Sequence, residues 1–114
     1  MSAPASRIFV DADAGQDRIV VPGTSLVEFV YLIERGRMDV EPYEELLRRL
    51  DAPEPSYALA SLDQGTARAV SRVPRPAVPD MPDRIIVATA LQLGLPLITR
   101  DGAIHRSAVV PVIW

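Results

Sequence analysis

Apolar residues in this chain fall into short continuous runs, separated by segments in which they recur every three or four positions. The runs are Arg18-Ile19-Val20-Val21-Pro22, Ser56-Tyr57-Ala58-Leu59-Ala60, Leu95 to Thr99 and Val109 to Trp114. They have the length and the bounding Gly and Pro residues of buried strands. Ala5, Ile8, Phe9 and Ala12 keep helical spacing, so the first segment is predicted to be a helix ending near Gly15. Reading Ile8-Phe9-Val10-Asp11 as a strand instead leaves too little chain before Ile19 for a parallel crossover, which needs about a dozen residues. Further helices are predicted over Ser25–Arg35, with Gly36 beyond the end, and around the stripe Tyr43, Leu46, Leu47, Leu50 behind Pro42. On the second of these, Glu44 and Arg48, and likewise Glu45 and Arg49, stand at the i,i+4 spacing of ion pairs. A helix from Asp63 to about Val73 follows. The segment VPRPAVPDMP has too many prolines for regular structure, and the last long helix runs from Asp83 to Leu93, stopped by Gly94 and Pro96.

Strands alternating with helices imply an α/β architecture with a mostly parallel sheet. The Asp83 helix has almost no polar face beyond Arg84 and Gln92, so it is expected to be buried in the domain or against a partner. At 114 residues the chain is expected to be one domain over 1–114.

Composition narrows the classes. Hydrophobic residues make up 48% and charged residues 24%, which is globular. The longest apolar run is too short to span a bilayer, and the N-terminus carries no apolar secretory segment, so a cytoplasmic location is expected. With no cysteine there are neither disulfides nor thiolate metal sites. The net charge of −3 argues against indiscriminate nucleic-acid binding, although all 12 basic residues are arginine, whose planar fork suits phosphate. Arg72 and Arg75, on either side of Pro74 in the proline-rich loop, read either as phosphate contacts or as a solvated linker.

The chemistry rests on carboxylates near the most hydrophobic segments. Each has a structural reading: Ser25 and Glu28 as a capping box, Asp80 and Asp83 likewise, and Asp101 before Gly102 as a turn residue. Taken jointly, Glu28 follows the Ile19 strand, Asp101 follows the Leu95 strand and Asp83 opens the helix between. In a parallel α/β sheet, ligands bind along that edge. The three converge only if the start of the Asp83 helix leans over the strand ends. Clustered carboxylates repel, and a hard divalent cation such as Mg²⁺ or Mn²⁺ offsets that repulsion through oxygen ligands. Arg84, beside Asp83, reads either as the partner of an acid or as a group that orients a phosphate.

The segments VPGTSLVEFVYLIERGRM, PDMPDRIIVATALQLGLPLITRDGAI and VPVIW resemble the PIN-domain family, especially VapC-type toxins of toxin–antitoxin pairs. The resemblance implies a three-layer α/β/α domain with a mostly parallel central sheet. It also implies a Mg²⁺- or Mn²⁺-dependent ribonuclease that acts on RNA, is neutralised by a small antitoxin protein, and is compatible with a homodimer. Glu28, Asp83 and Asp101 fall on the family's metal-site acids, Thr99 on its threonine by the site, and Asp80 on a recurring acid in the preceding loop. The family's usual first strand and its aspartate have no counterpart here. This leaves two expectations, a start assigned too late or a true truncation, and with the second a rival function: a catalytically impaired PIN remnant that binds an antitoxin or its own kind. A third reading makes the acids caps alone.

Overall fold

The computed structural model describes residue 7 and residues 18–52, 56–98 and 102–113. The chain divides into two compact units, one over Ile8–Ser61 and the other over Leu62–Trp114 together with residues 1–7. The predicted first helix lies outside the described residues except for Arg7, which is helical.

The first unit contains β1 (Ile19–Pro22), α1 (Gly23–Glu34), α2 (Val40–Asp51) and β2 (Tyr57–Ala60). β1 and β2 are parallel, with Ile19 opposite Tyr57 and Pro22 opposite Ala60, and the two helices form the crossover that parallel pairing requires. Pro22 can end β1 because its fixed φ of −64° also serves the residue before a helix. Gly36, at φ +69°, turns the chain out of α1 in a conformation that side chains resist. Phe29 and Tyr43 meet edge to face at 6.5 Å, joining α1 to α2. On the outer face of α2, Glu45 accepts from Arg48 Nη2 at 2.8 Å and from Arg49 Nε at 3.2 Å. Arg48 therefore donates to Glu45 and not to the predicted Glu44, its Nε and Nη2 both reaching Oε2, the former at 3.0 Å. Arg48 and, after it, Arg49 hold the Glu45 carboxyl below its ordinary range.

The second unit contains α3 (Gln64–Val70), α4 (Met81–Leu93), β3 (Leu97–Ile98), α5 (Gly102–Ser107) and β4 (Val112–Ile113). β3 and β4 are parallel, Leu97 opposite Val112. The core lies here: Ala69 and Val73, Val78 of the proline-rich loop, Val87, Ala88 and Ala90 of α4, Ile104 and Val110 form one buried cluster. Val73, Val78 and Val87 are the largest side chains removed from solvent, each contributing about 1.5–3 kcal/mol. The expected burial of the apolar helix holds for Val87 through Ala90, while Met81 and Leu93 at its ends stay exposed. Within the buried stretch, the Thr89 hydroxyl donates to the Ile85 carbonyl at 2.8 Å, which satisfies it without an outside partner. Gly94, at φ +67°, closes α4 as the left-handed residue that the Gly-Leu-Pro sequence predicts.

Both units therefore carry mixed helices and parallel strands, an α/β fold. α3 stops at Val70, three residues short of the predicted Val73, because the chain turns there to bring Val73 into the core. Among the described residues, no helix is long and apolar enough to cross a membrane.

Candidate functional site

The first turn of α4 is built by its sequence, Asp80-Met81-Pro82-Asp83. Pro82 lies in the first turn, where a missing N–H leaves nothing unpaired. Asp80, extended at φ −71° and ψ 127°, is the N-cap, and its Oδ2 accepts the Asp83 N–H at 3.1 Å. A carboxylate oxygen of Asp80 and one of Asp83 lie within 4.8 Å of each other, Asp80 exposed and Asp83 half-buried. Two like charges at that distance repel by about 1 kcal/mol in bulk water, and several times more near a protein surface. The partial positive charge of the helix N-terminus relieves part of this. The oxygen-only donor set fits a hard divalent cation, which would relieve more.

A second first turn stands in the same unit, against the far end of α4. Asp63 caps α3, its Oδ1 accepting the Thr66 N–H at 2.8 Å. The Thr66 hydroxyl sits between that oxygen, at 3.1 Å, and Gln92 Oε1, at 2.6 Å. The Thr66 N–H, and after it the hydroxyl, hold the Asp63 carboxyl below the usual aspartate range.

Among the described residues, Arg84 pairs with carbonyls rather than with an acid. Its Nη2 donates to the carbonyls of Val70 at 2.9 Å and Val73 at 2.8 Å, where α3 ends and the chain enters the proline-rich loop. The Val70 carbonyl also accepts the Val73 N–H at 3.0 Å, while the Val73 carbonyl, beyond the helix end, is met by the guanidinium. Its Nε is buried without a hydrogen-bond partner among the described residues. Arg84 thereby ties the first turn of α4 to the end of α3.

In the first unit, the capping box expected of Ser25 and Glu28 does not form. α1 opens at Gly23 behind Pro22, with no side-chain cap, because the Val-Pro-Gly sequence starts the helix before Ser25 is reached. Ser25 is thus its third residue, and half-buried Glu28 belongs to the second turn, too far along to cap the helix. Thr99 and Asp101 lie outside the described residues; α5 begins at Gly102, the short helix expected after Asp101. The Thr66–Gln92 contact and the destination of Arg84 had no sequence signal, since each joins residues of separate segments.

The PIN domain family model matches residues 2–110 of the 114, so the chain belongs to the PIN domain family, generally a metal-dependent nuclease fold. No curated protein and no solved structure matches it.

Proposed function

We propose that this protein is a metal-dependent endoribonuclease of the VapC toxin type, one PIN domain over 1–114, acting in the cytoplasm. Glu28, Asp83 and Asp101 are its catalytic and metal-ligating acids, with Asp80 and Thr99 in support and Mg²⁺ or Mn²⁺ as cofactor. RNA is the substrate, a small antitoxin the regulator, and a second copy of the chain a further partner. The observation that carries the reading is the Asp80–Asp83 pair, two carboxylates within 4.8 Å in a chain of a nuclease family. Glu28, half-buried in the second turn of α1, is the third described acid of the reading. Held by these acids, a divalent cation would supply activation of water and neutralisation of charge developing on a phosphodiester.

The protein's own residues have separate tasks. Asp83 presents its carboxylate from a helix turn that Asp80 closes and Arg84 anchors from behind, so it is held in place before any substrate arrives. Cleavage of a labelled RNA, followed by gel, tests the proposal. With Mn²⁺ or Mg²⁺ the wild type cuts and EDTA stops it; Asp83→Asn lowers the rate on the order of 100-fold. An Asp83→Asn protein as active as wild type, or a folded wild type inert with both metals, overturns the proposal.

A further inference from the structure

Charge is unevenly spread along the chain. Residues 1–61 hold six arginines against eleven acids, a net −5, whereas residues 62–114 hold six arginines against four aspartates, a net +2. The arginines of the second stretch also differ in use. In α2, Arg48 and Arg49 are bound to Glu45, and Arg84 is bound to two carbonyls. No hydrogen bond or ion pair among the described residues engages the exposed guanidinium groups of Arg75 and Arg106.

Between the proline-rich loop and α5 runs an open groove of about 390 Å³, lined by Pro76, Ala77, Pro79, Arg106 and Ser107. One wall is stiffened by prolines and leads directly into the N-cap Asp80. Arg106 supplies the charge of the other wall; its guanidinium lies against the bare backbone of Gly102, where an added Cβ would approach Nη1 to 2.9 Å. Arg75, exposed, precedes the lining residue Pro76 in the chain. The Ser107 hydroxyl is spent on the Ile104 carbonyl at 2.6 Å, so the groove offers cationic rather than hydroxyl recognition.

We propose that this groove binds the phosphodiester backbone of a single-stranded nucleic acid, with Arg106 and Arg75 as phosphate contacts that deliver the strand to the acids at the start of α4. An unpaired guanidinium in a concave, proline-walled surface meets phosphate with no ion pair to break first. The delivery role rests on the nuclease reading; binding to the groove does not.

The test is titration of fluorescein-labelled oligouridylate with the full chain in EDTA, by anisotropy, over a range of salt. Each lost phosphate contact reduces the slope of log affinity against log salt by about 0.7 and weakens binding about fivefold at 0.1 M salt. Arg106→Gln and Arg75→Gln are each expected to do both, Arg106→Lys to keep the slope, and Arg48→Gln, remote in use, to change nothing. Wild-type affinity and slope in the Arg106→Gln, Arg75→Gln double variant, or no binding by wild type, overturns the proposal. If the arginine variants lose binding while no metal yields cleavage, the groove stands and the nuclease reading falls. If Asp83→Asn abolishes cleavage while the arginine variants bind normally, the reverse holds.

Discussion

Two helices of the second unit open on an aspartate, and the two aspartates have different surroundings. Asp63 at α3 has its Oδ1 met by both the N–H and the hydroxyl of Thr66, and its affinity for a proton drops accordingly. Asp80 at α4 receives one backbone N–H, from a residue that is itself an acid, Asp83. Where α3 places a threonine three residues after the cap, α4 places a second carboxylate. The first arrangement satisfies a helix end; the second keeps two negative groups together. The same capping geometry therefore satisfies a helix end in one helix and brings two carboxylates together in the other.

Both turns rest on the contact between α3 and α4, so the most damaging change removes that support. Val87→Asp puts an unpaired charge among fully buried residues and is expected to lower stability by more than about 4 kcal/mol in urea unfolding. Val27→Asp, on the exposed face of α1, stays within about 0.5 kcal/mol. A Val87→Asp protein of near wild-type stability would mean that the buried cluster does not support these helices.

Next in size is Arg84→Met, which strips the Val70 and Val73 carbonyls of a charged donor and is expected to cost about 2 kcal/mol. Arg84→Lys retains part of this, since an ammonium cannot reproduce the planar fork. Equal unfolding midpoints for the methionine and lysine variants would show that the carbonyl contacts contribute little.

Smaller still is the effect at Asp63. Asp63→Ala is expected to lower the melting temperature by about 4 °C at neutral pH. Because the folded Asp63 pKa lies below the unfolded value of 3.8, its contribution is fully present above that value and is lost as pH falls through the depressed folded value. Unfolding curves recorded from pH 6 down to about pH 2 should therefore show a shallower acid-side loss in Asp63→Asn than in wild type. Parallel curves for the two proteins would show that the Thr66 contacts do not favour the ionised carboxylate.

The sequence was informative where period and punctuation agree. Gly36 and Gly94 take the left-handed positions that their places after apolar helices imply, and β1 and β2 lie where the apolar runs stand. It misled where two local signals competed. Ser-Leu-Val-Glu reads as a capping box, but Pro22-Gly23 starts the helix first, and Glu28 is left to another role. It was silent where contacts join distant segments: nothing near Arg84 in the chain points to Val70 and Val73, and nothing near Gln92 points to Thr66. Of the candidate acids, the Asp80–Asp83 pairing was legible from the three-residue spacing alone, because that spacing places both on one turn of helix.

The contrast between the two first turns is tested most directly by calorimetric titration of Mn²⁺ into wild type, Asp83→Asn and Asp63→Asn. A metal site built on the start of α4 predicts that wild type and Asp63→Asn bind alike while Asp83→Asn binds at least about tenfold more weakly. Equal affinity in all three proteins would contradict it.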